Sequence, residues 1–155
     1  MEGTSNIMAL ELLKLFLREA KVNKGDECVL FRHLKNTLDQ ITLPLLSEVV
    51  FTVTKELEKI LGETAYLLQT TSEVQNAHAR QLLDKVVDLT CAVFLLEEAQ
   101  YENKKHGTQR LLQIARYYVN RTYQPGLYDI QGQEIPAIDL FGAAVCYGEE
   151  VYGRH

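Results

Sequence analysis

Hydrophobic residues recur every three or four positions along most of the chain, which is the spacing of amphipathic α-helices. The pattern starts near Ser5 and continues, with short interruptions, to Tyr123. We therefore predict five helices in this part of the chain. Four of them lie at about residues 5–22, 26–41, 43–68 and 108–123. The other, the fourth along the chain, begins at about Ser72 and is ended by the cations of residues 103–106 and by Gly107.

Residues that favour helix ends lie at the limits of these segments. Thr4 or Ser5 can cap the first helix, and Thr108 can cap the fifth. Ser72 followed by Gln75 has the spacing of a capping box at the start of the fourth helix. In the first helix we expect one buried stripe, made of Ile7, Leu10, Leu13, Leu17 and Ala20.

Long amphipathic helices joined by short turns are typical of an up-and-down helical bundle. The sequence predicts an all-α fold: a bundle of about four to five helices with an irregular C-terminal tail and a short final helix. Residues 1–155 form a single helical domain in this interpretation. Its parts are the first helix with the residues before it (1–22), the other bundle helices (26–123) and a loop-rich tail with the short helix (124–155).

Charge and composition narrow the class of protein. The formal net charge is -5, whereas a nucleic-acid-binding protein needs a basic face, so we expect no nucleic-acid partner. No run of eighteen apolar residues is present, so we expect no membrane span, and we see no signal peptide. Cys28, Cys91 and Cys146 are few and far apart, which is typical of reduced core thiols in a cytoplasmic protein.

Few residue patterns point to chemistry. The acidic residues Glu97, Glu98 and Glu102 precede His106, but the chain has no Glu-x-x-His pair of the kind that di-iron bundles use. We interpret this cluster as a solvated face and expect no metal site. Phosphate-loop and nucleophile-elbow motifs are also absent from the sequence.

Tyrosines are concentrated in the last third of the chain, at positions 117, 118, 123, 128, 147 and 152. They suit packing between helices or at an interface, and a stacking site for a planar ligand is the alternative. The nearby Arg110, Arg116 and Arg121 can pair with carboxylates or meet an anion.

The amino-terminal stretch E-G-T-S-N-I-M-A-L-E-L-L, residues 2–13, resembles the E-G-T-x-x-I segment of the acyl-CoA dehydrogenase family. It is most similar to branches with an extra C-terminal helical extension. The resemblance implies that Glu2 is the base that removes the α-proton of an acyl-CoA. It also implies that Gly3 and Thr4, together with Ser5 and Asn6, lie beside an FAD cofactor.

Elementary chemistry is compatible with these roles. A carboxylate can accept a proton, Gly3 allows a close approach of the backbone, and a hydroxyl with free helix N–H groups can donate to a flavin. The simpler alternative is that Glu2 and Thr4 only stabilise the start of the helix.

The sequence departs from the family because the flavin-binding residues and the β-domain expected before E-G-T are not in it. The resemblance therefore implies a C-terminal helical piece whose partners are those N-terminal and β-domains, the acyl-CoA substrate and an electron acceptor. A homo-oligomer is also possible. An exposed apolar stripe on the first helix is expected where it would pack on the absent domains. The chain alone should not catalyse the dehydrogenation. The alternatives are a freestanding helical interaction module without enzymatic activity and a bundle with an apolar ligand cavity.

Overall fold

The computed structural model describes residues 2–22 and 28–123, apart from the side chain of Glu2. Within these ranges the chain forms five α-helices and one turn of 3₁₀-helix, and no β-strand. The predicted all-α helical bundle is therefore confirmed. The elements are α1 (Glu2–Val22), α2 (Val29–Asp39), the 3₁₀ turn (Pro44–Leu46), α3 (Ser47–Leu68), α4 (Ser72–His106) and α5 (Arg110–Tyr123). The predicted tail and final helix (124–155) lie outside the described residues.

The helices contribute to two compact units, and α3 and α4 each supply residues to both. The first unit contains the described residues up to Asn36 together with Lys55–Thr90. Its core includes an aromatic pair, Phe16 of α1 and Phe31 of α2, whose ring centroids lie 5.4 Å apart. The other buried apolar side chains of this unit are Ala9, Leu13, Leu34, Leu57, Ile60, Leu67, Ala79, Leu82, Val86 and Leu89.

The second unit contains residues Thr37–Thr54 and the described residues from Cys91 onward. Its core is built from aliphatic side chains of the end of α2, the 3₁₀ turn, the start of α3, the end of α4 and α5. These are Leu38, Leu46, Val49, Val53, Ala92, Val93, Leu96, Ala99, Leu112, Ala115 and Val119. Most of these positions recur at helical spacing within α3, α4 and α5.

The corner between α3 and α4 differs from the predicted capping box. α4 begins at Ser72, so Ser72 is its first helical residue, and the backbone N–H of Gln75 bonds to the carbonyl of Thr71. The buried side chain of Gln75 instead donates from Nε2 to the carbonyls of Leu68 (3.3 Å) and Thr70 (3.1 Å). Gln75 therefore satisfies carbonyls at the end of α3, which have no intrahelical partner.

A glycine turn separates α4 from α5, as the sequence predicts. Gly107 has φ of 68°, and its N–H bonds to the carbonyl of Asn103 at 2.9 Å. This left-handed conformation is the one that favours glycine after a helix. The predicted cap of α5 is wrong by one residue, because the carbonyl of Gln109 rather than that of Thr108 accepts the first helical N–H, from Gln113.

One side chain of α4 fixes the connection between α2 and the 3₁₀ turn. The Oε1 atom of Gln100 accepts from the backbone N–H groups of Thr42 (2.7 Å) and Leu43 (3.1 Å). Its Nε2 atom donates to the carbonyl of Gln40 at 3.0 Å. Three backbone groups of a non-helical segment thus depend on one amide, which replaces the partners that a helix would supply.

We expect Gln100→Ala to lower the free energy of unfolding by about 1–3 kcal/mol, since three hydrogen bonds to the backbone are lost together. Urea titration followed by circular dichroism measures this change. Hydrogen exchange at the amides of Thr42 and Leu43 should also become faster. Gln81→Ala is the matched control on α4, because that exposed side chain bonds only to His78 among the described contacts. Equal destabilisation by both substitutions would contradict the role of Gln100.

Candidate functional site

The E-G-T segment lies in the first turn of α1 rather than in a loop before it. Because the helix begins at Glu2, Thr4 and Ser5 are inside the helix, and the prediction that one of them caps it is wrong. The first helix therefore starts three residues earlier than the spacing of apolar residues indicates.

The candidate flavin-contacting residues are accessible at this end of the helix. Gly3, Thr4 and Asn6 are exposed, and Ser5 is half-buried. A Cβ atom added to Gly3 would meet no atom within 4 Å, so its own packing does not require a glycine there. The space around this turn is therefore open to a ligand or to another protein surface.

The first turn supplies hydrogen-bond donors that could serve such a ligand. The N–H groups of Gly3 and Thr4 belong to the set at a helix start that has no intrahelical acceptor. The helix dipole also favours negative charge at this end. These donors and the open space at Gly3 fit the approach of a flavin or its phosphates.

The outer face of α1 is apolar. Ile7, Met8, Leu15 and Val22 are all exposed. The predicted buried stripe is therefore wrong at Ile7, while Leu13 is buried as predicted. The side chains buried with Leu13 are Ala9 and Phe16, so the core-facing side of α1 is rotated relative to the predicted stripe. The expected exposed apolar stripe on the first helix is present.

Charged residues line one edge of this apolar face. Lys14 Nζ donates to Glu11 Oε1 at 2.6 Å, and both side chains are exposed. The hydrogen bond from Lys14 and its charge lower the pKa of Glu11, and the charge of Arg18 lowers it further. Glu11 is thus a carboxylate held in its charged form between two cations on the same helix.

No family model, curated protein or solved structure matches this chain. The resemblance to the acyl-CoA dehydrogenases therefore stays a prediction that rests on residues 2–13.

Metal ligands do not come together in the part of the chain that the structure describes, where no group of three His, Cys, Asp or Glu side chains could hold an ion. Glu97, Glu98 and His106 are exposed and Glu102 is half-buried, as expected of a solvated face. Among the same residues, no helix has the length and apolar character needed to cross a membrane.

The cysteines are only partly as predicted. Cys28 is half-buried, and burial followed by its hydrogen bond with Glu19 raises the pKa of this thiol to about 11. Cys91 is exposed on α4, so the prediction of a core thiol is wrong there. Cys146 lies outside the described residues.

The described part of the tyrosine-rich region packs as predicted, with Tyr117, Tyr118 and Tyr123 half-buried on α5. Arg121 donates to the hydroxyl of Tyr117 at 3.0 Å, and its guanidinium lies 5.9 Å from the centre of that ring. This arginine therefore contacts an aromatic ring, an arrangement that the sequence interpretation did not include. The tyrosines at 128, 147 and 152 lie beyond the described residues.

Proposed function

We propose that this chain is the C-terminal helical portion of an FAD-dependent oxidoreductase that resembles the acyl-CoA dehydrogenases. The observation that carries the proposal is the E-G-T-S-N-I-M-A-L-E-L-L sequence at the accessible start of α1. The all-helical fold and the open space at Gly3 support it.

Each candidate residue has a defined part in this proposal. The carboxylate of Glu2 accepts the α-proton of the acyl-CoA, which leaves negative charge on the substrate. Bound FAD would supply the redox step by accepting the β-hydride. Gly3 lets the cofactor approach the backbone, and the first-turn N–H groups with the Thr4 hydroxyl donate hydrogen bonds to it. Ser5 and Asn6 flank the same position.

The rest of the chain is structural in this proposal. The N-terminal helical and β-domains of the oxidoreductase would supply most of the flavin and acyl-CoA contacts. The chain alone would therefore neither bind FAD tightly nor turn over, and we place the complete protein in the cytoplasm.

The test is to isolate the native polypeptide from its source with antibodies raised against residues 28–123. We expect a polypeptide longer than 155 residues that carries FAD. Its flavin absorption should bleach when an acyl-CoA is added without oxygen. A native polypeptide of 155 residues without flavin would contradict the proposal and favour the freestanding interaction module.

A further inference from the structure

The outer face of α1 has apolar side chains where an isolated bundle helix ordinarily has polar ones. Ile7 is 62% exposed, Met8 59%, Leu15 45% and Val22 78%. The opposite side of the helix is buried through Ala9, Leu13 and Phe16, so the exposed residues are not part of the core of this unit. We call Met8, Leu15 and Val22 the outer stripe.

The outer stripe is symmetric along the helix. Met8, Leu15 and Val22 are seven residues apart, so they form one line along the helix, whereas Ile7 lies about 100° around the helix from Met8. Apolar side chains therefore occur at both ends and at the centre, with Leu15 in the middle. A second α1 that runs in the opposite direction therefore has apolar side chains at the same heights along the helix.

An antiparallel copy matches the stripe residue for residue. It places Met8 next to Val22 of the second copy, and Leu15 next to Leu15 of the second copy. These pairs share one centre, close to Leu15. A contact of this kind is isologous and closes as a two-fold dimer, so it does not propagate into a filament.

Charges at the edge of the stripe favour the same arrangement. Glu11 and Arg18 are seven residues apart and lie along one edge. Antiparallel pairing brings Glu11 of each copy opposite Arg18 of the other, which gives two pairs of opposite charge. Parallel pairing would instead place the edge with Glu11 and Arg18 against the opposite edge of the second copy, so these two residues would not meet across the contact.

We infer that α1 pairs with α1 of a second copy of this chain, antiparallel and centred on Leu15. The contact is small, because a helix of 21 residues is only about 30 Å long. One helix pair buries less than the roughly 800 Å² per partner of a standard stable interface. The dimer is therefore weak and depends on concentration, with a Kd above about 1 μM.

Sedimentation equilibrium of the purified chain tests this inference without flavin, so its outcome is separate from that of the proposed function. The average mass should rise from one copy toward two copies as the concentration increases through the Kd. Leu15→Lys should abolish this rise, because it places two cations at the centre of the contact. Val87→Lys is the matched control, since Val87 is also exposed but lies on α4. It should leave the rise unchanged.

Charge reversal tests the orientation. Glu11→Arg alone, or Arg18→Glu alone, should weaken association about tenfold, since each places like charges opposite each other twice. The double variant, with both substitutions, should restore it because the pairs of opposite charge are exchanged. Circular dichroism confirms that each variant remains folded. A chain that stays monomeric at millimolar concentration, or equal association of Leu15→Lys and the unmodified chain, would overturn the inference. Failure of the double variant to recover would overturn the antiparallel orientation.

Discussion

Leu89→Ala is expected to lower the free energy of unfolding by about 2–5 kcal/mol, one of the two largest effects that we predict. Leu89 lies in α4 and is 0% exposed, so its side chain is surrounded by the core of the first unit. Removing three carbon atoms there loses the transfer free energy of the side chain and leaves a cavity, because helices relax only partly around it. Urea titration followed by circular dichroism at 25 °C measures the change.

The control for this substitution lies two residues away on the same helix. Val87 is exposed, so Val87→Ala should change the free energy of unfolding by no more than about 0.5 kcal/mol. A loss at Leu89 no larger than that at Val87 would show that α4 does not bury this face. Because both variants are studied at low concentration, any self-association of the chain does not contribute to the comparison.

Helical spacing is informative about the core of α4 even though this helix also has exposed apolar residues, such as Val87 and Phe94. Leu82, Val86 and Leu89 recur at intervals of three and four residues, and all three are buried. The same helix ends where cations and Gly107 predict it to end. Periodicity works here because residues three and four positions apart lie on the same side of a helix.

The same reasoning gave a rotated face in α1, where apolar residues lie on both sides of the helix. Leu13 is buried as predicted, but Ile7 is exposed, and Phe16 is buried although the predicted stripe did not include it. The deciding contact is between Phe16 and Phe31, and these two residues are on different helices. Spacing within one helix does not contain that information.

Hydrogen bonds from side chains to backbone groups outside their own helix were also not predicted. Gln100 holds backbone groups of Gln40, Thr42 and Leu43, nearly sixty residues earlier, and no local motif marks it. Gln75 was singled out from its spacing to Ser72, yet its amide caps the preceding helix instead. In both cases the residue type was informative, but its partner depended on how the helices come together.

The candidate site, unlike the core, was not predicted from helical spacing. It was predicted from a resemblance over residues 2–13. The structure adds where Gly3, Thr4, Ser5 and Asn6 lie and how exposed they are. The outer stripe could have been found from the seven-residue spacing of Met8, Leu15 and Val22. It was not predicted because the same helix has a second apolar face, and the sequence alone does not show which of the two faces is buried.

In the complete flavoprotein of our proposal, Glu2→Gln should lower kcat by about 10²–10⁴-fold, the usual contribution of a general base. Glutamine keeps the size and polarity of glutamate but cannot accept the α-proton. FAD content and acyl-CoA binding should therefore change little. Stopped-flow measurement of flavin reduction by an acyl-CoA, without oxygen, gives the rate, and exchange of the α-hydrogen with D₂O reports proton removal separately.

The control for Glu2→Gln is Glu58→Gln, which neutralises an exposed carboxylate of α3 and should leave both rates unchanged. The pH dependence gives a second comparison. A general base must be deprotonated, so the rate for the unmodified enzyme should fall as the pH drops through the pKa of its base, and Glu2→Gln should lose that step. If Glu2→Gln instead kept kcat within about threefold and retained the same pH profile, the proton would go to another residue. Glu2 would then only stabilise the start of α1, as a first-turn carboxylate does in any helix.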